Sequence, residues 1–454
     1  MSKPYKTPVV IASPNIKVPE PKVSKFVIFI VKILGRIYLL FFWGIAKIVL
    51  HKDDKNLIDA FDRALAGKSR CIIAFRHPNG GEPQILTWFF LFKLRILAAG
   101  KGVRLVRRPH AVFVYSYEVV RYGGWVARFI MPNMGAMPVH HSKISRKDMD
   151  RIYNAITEGP YPVALAPEGQ VSYTINGVPQ LEPGVMRFGF TAADRLEKKG
   201  ITIPVEILPV SIYFHFGSWG NMTMELLLRK IEQVCGLSGK DRKNLPFTER
   251  ISRCRDHILK VNESRFGITG DNSLSFEERL DRVINAALDT AERMIGFTNN
   301  GDFFSRMYRL RQYYWDQIFL PSVDNFNEMT CLEKSVLDLR SGETWYIGRY
   351  QELADFCWYF RVPLPAEETD LNSKIEYVQN LWDFANRTMG GAFSDRVSIF
   401  PRKVIIRPSP VINLTERLES YRKDKKTAIS EAMSDLEKAY QQCIFEISKE
   451  NMCH

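Results

Sequence analysis

The stretch CIIAFRHPNGGEPQILTWFF, residues 71–90, carries the clearest local structural signals in this chain of 454 residues. Cys71–Phe75 is a short, fully apolar run of the kind that forms a buried strand. Pro83 suits the first turn of a helix, which we expect over about residues 83–98. Gly80 and Gly81 lie between these segments and permit a sharp change of direction. The stretch therefore predicts a buried strand, a glycine turn and a helix.

His77 and Glu82 flank this turn and are candidates for a catalytic pair. Five residues apart, they would point about 140° apart on a continuous helix, so they can meet only if the chain turns at Gly80-Gly81. A carboxylate that accepts the Nδ1 proton of a histidine fixes its tautomer and leaves Nε2 free to take a proton from a hydroxyl. By itself the pattern is weak. A structural histidine, with a glutamate that complements the helix dipole, is the more frequent origin of such a pattern.

Three further segments follow His77 in a recognisable order, and they read MGAMPVHH (134–141), YPVALAPEGQVSY (161–173) and PVEILPVSI (204–212). The second and third are apolar strands, one running into Pro-Glu-Gly and one interrupted by Pro209. The order of H-x4-acid, G-x-x-P-V, P-E-G after a strand and L-P-V resembles the four blocks of the glycerolipid acyltransferase family. LEPGVMRFGFTAAD (181–194) resembles the segment that follows the third block. The resemblance covers roughly residues 70–215.

The resemblance implies an α/β fold, with a mixed sheet flanked by helices, and an O-acyltransferase of phospholipid biosynthesis or remodelling. His77 would be the general base and Glu82 would orient it. The acyl donor would be acyl-CoA or an acyl carrier protein, and the acceptor a lysophosphatidate-like or other glycerolipid. Glu168 and Gly169 would help to bind the acceptor. Neither a covalent acyl-enzyme, a metal nor a cofactor is expected.

The sequence departs from the family pattern at three points. The first-block acid is usually Asp, whereas this chain has Glu82. The second block usually ends in Arg, but the aligned residue is His141; the third usually continues as Thr-Arg-Ser, which is Gln-Val-Ser172 here. Either Lys143, Arg187 or the basic loop 101–108 supplies the missing charge, or the acceptor has no simple phosphomonoester. The predicted substrate-binding residues are Glu168, Gly169, His141, Ser172, Lys143 and Arg187.

The net charge of +13 is concentrated at the N-terminus, where residues 1–50 carry eight Lys/Arg and one acid, Glu20, a local charge of +7. A basic region beside an apolar one predicts contact with anionic lipids at a bilayer surface. A nucleic-acid partner is not expected, because the chain has neither zinc-finger spacing nor an RNP-type aromatic motif. The seven scattered cysteines indicate free thiols in a reducing compartment.

The apolar segment 25–52 predicts a membrane-associated amphipathic helix. On a helix its cations would fall within a sector of about 60°, which suits the plane of a bilayer interface on the cytoplasmic face; they are Lys25, Lys32, Arg36 and Lys47. A single transmembrane span and a core helix of a soluble domain are the alternatives. Gly35 and Gly44 would allow a bend into two shorter helices.

The predicted domain organisation is discontinuous. Residues 1–24 read as a flexible basic tail containing prolines, and 53–217 together with 399–454 as the acyltransferase domain. KVIIRPSPVINL (403–414) resembles the strand that closes the family fold, and a long helix should follow it. Residues 218–398 would then be a mainly helical insertion. If a helix at 222–234 closed the domain instead, the remainder would be a C-terminal appendage. The alternative function is non-catalytic lipid binding on an acyltransferase fold.

Overall fold

The computed structural model describes residues 10–454 except 52–53, 140–144, 218, 238, 240–243, 272, 299, 321–325, 392–395, 398, 400–401 and 453–454. The chain forms two compact units. One comprises Val18–Ser218 and Phe400–His454 and is called the sheet unit. The other comprises Met1–Lys17 and Trp219–Ile399 and is called the helical unit. The sheet unit is therefore assembled from two segments separated in sequence.

The strands of the described residues are β1 Ser13–Pro14, β2 Ile45–Leu50, β3 Arg70–Phe75, β4 Val112–Ser116, β5 Met137–Val139, β6 Val163–Leu165, β7 Val205–Phe216, β8 Phe319–Leu320, β9 Arg402–Pro408 and β10 Ile412–Asn413. The α-helices of the sheet unit are Lys25–Trp43, Asp54–Leu65, Glu82–Trp88, Arg95–Gly100, Glu118–Tyr122, Gly124–Asn133, Arg146–Thr157, Gly184–Lys198, Leu418–Lys423 and Lys425–Met452. Phe89–Leu94 is π-helical and Thr415–Arg417 is a 3₁₀ turn.

The sheet unit is built on one mixed sheet with the strand order β2-β9-β7-β3-β6-β4-β5. The five strands from β7 to β5 are parallel, whereas β9 runs antiparallel to β7 and parallel to β2. β10 pairs with the start of β7. The predicted α/β class, a mixed sheet flanked by helices, is confirmed.

Both faces of the sheet are covered, as the alternation along β3 illustrates. Cys71, Ile73 and Phe75 point into a core that includes helix Asp54–Leu65. Ile72 and Ala74 point into a second core with the helices of the opposite face. A strand buried on both faces has no polar alternation, which is why this run was apolar throughout.

The predicted helix 25–52 is wrong in its last third. The helix, Lys25–Trp43, ends at Gly44, whose positive φ of 61° closes it in a left-handed conformation. Residues 45–50 are strand β2, with Ile45 and Ile48 buried in the sheet core. Lys47 therefore lies on a strand and not on the cationic face of the helix. Among the described residues, Lys25–Trp43 is the single helix long and apolar enough to cross a membrane.

The helical unit contains the α-helices Gly220–Val234, Phe247–Arg265, Phe276–Met294, Phe303–Ile318, Cys331–Tyr359 and Leu371–Thr388. Helix Phe276–Met294 begins with a capping box formed by Ser275 and Glu278. β1 pairs in parallel with β8, so residues 13–14 belong to this unit, although they were expected in a flexible tail. Residues 1–9 of that tail lie outside the described residues.

Candidate functional site

The side chains of His77 and Glu82 meet at the end of β3. His77 Nδ1 lies 2.7 Å from Glu82 Oε2. β3 ends at Phe75 and the next helix begins at Glu82, so the intervening residues reverse the chain. Gly80 has a φ of +100°, a conformation that residues with a Cβ rarely adopt. This glycine allows two residues that would diverge on a helix to come into contact.

The backbone of the turn holds the carboxylate of Glu82 in place. The amide of Asn79 donates to Oε1 at 2.8 Å, and the amide of Gly80 donates to Oε2 at 2.8 Å. Glu82 is fully buried and lies in the first turn of its helix, where a negative charge is favourable. An ionised carboxylate can only accept hydrogen bonds, so Nδ1 of a neutral His77 must carry the proton and donate it to Glu82. Nε2 then keeps its lone pair.

His77 is partly open to solvent, and its pKa is shifted from the ordinary value. Its side chain is 17% exposed, and within the described residues Nε2 has no hydrogen-bond partner. Burial lowers the pKa of His77. The hydrogen bond to Glu82 and the negative charges of Glu82 and Glu168 outweigh it, so the pKa is raised above its ordinary value. The imidazole is therefore a base held in a fixed orientation, and Glu82 and Glu168 stabilise its protonated form.

Glu168 holds the other side of the turn. Its Oε1 accepts from Arg76 Nε at 2.9 Å, and its Oε2 accepts from the backbone amide of His77 at 2.8 Å. Only 1% of Glu168 is exposed, and both oxygens are occupied. We therefore assign Glu168 to positioning His77. The acceptor-binding role that the family resemblance implies for Glu168 stays a prediction.

Neighbouring parallel strands bring these residues together. β3 and β6 pair directly, so the residues after each strand emerge at the same edge of the sheet. Gly169 has a φ of +72° and turns the chain after Glu168. The amide of Ser172 then donates to the carbonyl of His77 at 3.0 Å. The Ser172 side chain is fully buried, and its Oγ has no partner among the described residues. Ser172 is thus held against the backbone of His77 by this hydrogen bond.

The remaining predicted substrate-binding residues are not brought to His77 by any described contact. Arg187 is exposed on the first turn of helix Gly184–Lys198. That helix begins near the Glu168 loop, because the amide of Glu182 donates to the carbonyl of Pro167 at 2.6 Å. His141 and Lys143 lie outside the described residues.

Arg76 is a buried cation that the sequence analysis missed. Its guanidinium reaches Glu168 and also donates to three backbone carbonyls of the following loop, those of Thr174, Ile175 and Gly177. It fixes the loop of the third block against the end of β3. Its position directly after an apolar strand and next to His77 was the available signal.

Arg402 and Trp43 complete the support of the turn from distant parts of the sequence. Arg402 is 1% exposed; it donates to Asn79 Oδ1 at 3.0 Å and to the carbonyl of Trp43. The Trp43 ring lies so close to Gly81 that a Cβ there would approach it to 2.8 Å. The end of the N-terminal helix is thus packed on the turn that carries His77. No local pattern indicates a contact between residues more than 300 positions apart.

The site can accept a proton at His77 Nε2 and stabilise the resulting imidazolium through Glu82. Both residues are held by buried side chains and backbone amides, so their geometry is set before any substrate binds.

No known protein family, curated protein or solved structure matches this chain.

Proposed function

We propose that this protein is an O-acyltransferase that moves a fatty acyl group from acyl-CoA or an acyl carrier protein to a hydroxyl of a glycerolipid. The observation that carries the proposal is the 2.7 Å contact between His77 Nδ1 and Glu82 Oε2, with the opposite edge of the ring partly open. A weak sequence pattern is thereby matched by the geometry that general-base catalysis needs.

In the proposed reaction, His77 Nε2 removes the proton of the acceptor hydroxyl as its oxygen attacks the thioester carbonyl carbon. The tetrahedral intermediate collapses with cleavage of the carbon–sulfur bond. The imidazolium returns its proton to the departing thiolate, giving an ester and a free thiol. Glu82 stabilises the imidazolium through the Nδ1 hydrogen bond, consistent with the raised pKa of His77.

The resemblance of four segments to glycerolipid acyltransferases supports this reaction class and an acyltransferase-like fold. Three of those segments include the strands β3, β6 and β7 or the loops that follow them. These three strands are parallel neighbours in the sheet. In open α/β sheets, ligands generally bind outside the carboxyl ends of the parallel strands. That generalisation and the resemblance therefore favour the same location for the acceptor.

We further propose that the protein works at the cytoplasmic face of a membrane as a peripheral or monotopic protein. The N-terminal helix, Lys25–Trp43, leaves large apolar side chains in solvent, with Phe41 and Phe42 more than 70% exposed. Its cations suit anionic headgroups while its apolar face enters the acyl region. The lysolipid acceptor would reach the enzyme from the same surface.

A non-catalytic lipid-binding protein is the second candidate. Glu168 is buried and each of its oxygens already accepts a hydrogen bond, and arginines at two acceptor-binding positions of the family are replaced here. Such a protein would keep the exposed apolar helix but would not turn over acyl thioesters.

An acyl-transfer assay on the purified full chain separates the two candidates. Acyl-CoA and acyl carrier protein donors are offered with a panel of lysolipids that do or do not carry a phosphomonoester. The His77→Ala variant should lose acyl transfer while its thermal unfolding stays close to wild type. His257→Ala, which removes an exposed histidine of the helical unit, is the matched control and should keep full activity. Full activity of the His77→Ala variant refutes the mechanism, and an inactive wild type favours lipid binding alone.

A further inference from the structure

A groove on the sheet unit lies between the N-terminal helix and the helical segment that starts at Glu82. Its volume is about 500 Å³, and its lining residues are Lys32, Ile33, Arg36, Trp88, Phe92 and Lys93. Three of the six are cations and the other three are apolar or aromatic. The lining contains no acidic residue. This composition suits an amphiphilic anion.

The three cations line the same groove from two helical segments. Lys32 and Arg36 are four residues apart and therefore neighbours on one helix face. Lys93 approaches from the opposite wall. Lys32 Nζ lies 5.8 Å from the ring centre of Phe92, and the Arg36 guanidinium carbon lies 5.9 Å from that of Trp88. The aromatic rings thus form the floor between the charges.

Two of the three cations are anchored by backbone carbonyls, but none of the three is neutralised among the described residues. Arg36 donates to the carbonyls of Ile45 and Ala46 at 2.6 and 2.7 Å, and Lys93 donates to that of Ile48 at 3.2 Å. These bonds fix Arg36 and Lys93 on strand β2, and each of the two side chains has further N–H groups that can donate to a ligand. In the described part of the chain, none of the three cations has a carboxylate within 4.0 Å. An anion would supply that missing charge.

The surroundings of the groove are apolar and exposed. Ile33 is 53% exposed, Phe92 is 40% exposed and Ile96, one turn further on, is 62% exposed. Charges held beside a lipid-facing surface are costly unless they are paired. A free phosphate would satisfy the cations but would leave this apolar rim in water. A phospholipid satisfies both, with its phosphate on the cations and its chains along Ile33 and Phe92.

We propose that this groove binds the headgroup of an anionic phospholipid, with the phosphate between Lys32, Arg36 and Lys93. The groove is displaced from the catalytic pair, because Trp88 lies about 9 Å along the helix axis from Glu82. The inference rests on the proposed membrane association and not on acyl transfer. Because the N-terminal helix and the helix carrying Glu82 form its two walls, the bound lipid braces these helices against each other.

Vesicle flotation of the full chain tests the proposal without an acyl donor. The probes are vesicles of phosphatidylcholine alone and of phosphatidylcholine with one-third phosphatidylglycerol. The double variant Lys32→Gln/Lys93→Gln should bind the anionic vesicles on the order of thirtyfold more weakly, since each lysine near such a surface contributes about 1 kcal/mol. Arg36 is left intact because it makes two short hydrogen bonds to strand β2, at 2.6 and 2.7 Å, whereas Lys93 makes a single one at 3.2 Å.

The matched control is Lys423→Gln/Lys426→Gln, which removes the same charge from exposed positions near the C-terminus. It should bind like wild type. Equal weakening of both double variants, or of neither, overturns the groove as a site. Displacement of the vesicles by millimolar inorganic phosphate would identify a free-phosphate site and also overturn it.

Native mass spectrometry in detergent provides a second measurement. The wild type should retain one phosphatidylglycerol in preference to phosphatidylcholine, and the groove variant should retain none at an unchanged unfolding temperature. Retention by the variant overturns the site. Failure of the acyltransferase proposal appears separately, as an inactive wild type that still binds the lipid. Absence of vesicle binding by the wild type refutes a lipid occupant and leaves the groove to a protein partner.

Discussion

Replacing Glu82 by Gln tests the central contact with almost no change in shape. Glu82 Oε2 accepts from both His77 Nδ1 and the amide of Gly80, while Oε1 accepts from Asn79. In the variant the amide oxygen can keep the Asn79 bond. The NH₂ group then faces the Gly80 amide, and because both are donors they cannot bond to each other. The NH₂ group can still donate to His77 Nδ1, but only when Nδ1 carries no proton.

Two magnitudes follow from this geometry. The buried Gly80 amide loses its acceptor, which costs about 1–3 kcal/mol of unfolding free energy. Loss of the charge at the helix start adds about 0.3–1 kcal/mol. His77 is driven to the tautomer with its proton on Nε2, so it cannot act as a base; an equivalent change in a serine protease lowers kcat on the order of 10⁴-fold. The two stability terms together amount to about 1.3–4 kcal/mol, whereas acyl transfer falls by about 10⁴-fold.

Urea unfolding and the acyl-transfer assay are applied to the same Glu82→Gln preparation. Glu333→Gln is the control for a first-turn glutamate, because it removes an exposed cap carboxylate from the helix Cys331–Tyr359. It should lose at most about 1 kcal/mol and keep full activity. A Glu82→Gln protein as active as wild type would refute the role of the carboxylate as the group that orients His77.

The positioning role of Glu168 predicts that Glu168→Gln destabilises the protein by about 3–5 kcal/mol in urea unfolding, because a buried guanidinium loses its counter-charge; a change below 1 kcal/mol would contradict it. Gly81→Ala drives a methyl group into the Trp43 ring and should cost about 1–3 kcal/mol, whereas Gly184→Ala, which meets no atom within 4 Å, should not. The raised pKa of His77 stabilises the fold fully below the pKa of the unfolded chain, and this contribution is lost as pH rises through the folded pKa. An imidazole NMR titration should give a His77 pKa above that of an exposed histidine, and acyl transfer should rise over the same pH window.

The local part of the site was predictable because local rules determine it. An apolar pentapeptide gave β3, Pro83 marked the helix start, and the two glycines supplied the turn. The steric argument that His77 and Glu82 meet only across a turn required nothing from the rest of the chain. The same reasoning placed a strand before Glu168, because its apolar run is short and bounded by prolines.

The support of the site was not predictable, because it depends on which strands become neighbours. Residues 45–50 look like a continuation of an apolar helix, and only pairing with β9 makes them a strand. Pairing of β3 with β6 occupies both oxygens of Glu168, which the sequence alone would leave free. Arg402 reaches Asn79 because β9 adds to the sheet beside β7. Each of these contacts follows from strand order.

The position of Trp43 changes how membrane binding must be tested. Deleting residues 1–50 would remove the apolar helix together with strand β2, strand β1 of the helical unit and the tryptophan that packs on Gly81. Such a deletion would disturb the His77 turn whether or not the helix contacts lipid. Loss of vesicle binding or activity in that variant would therefore have two explanations.

Substituting the exposed face of the helix removes this ambiguity. Phe41 and Phe42 are 74% and 72% exposed, so Phe41→Ser/Phe42→Ser should leave unfolding unchanged. Burial of each ring in a bilayer is worth about 1.5–3 kcal/mol, so vesicle affinity should fall by at least about a hundredfold. Transfer to a short-chain, water-soluble acceptor should persist, because both rings are largely exposed and neither belongs to the buried core around the His77 turn. Unchanged vesicle binding would mean that the helix is not the main anchor, although its C-terminal residue would still position the turn.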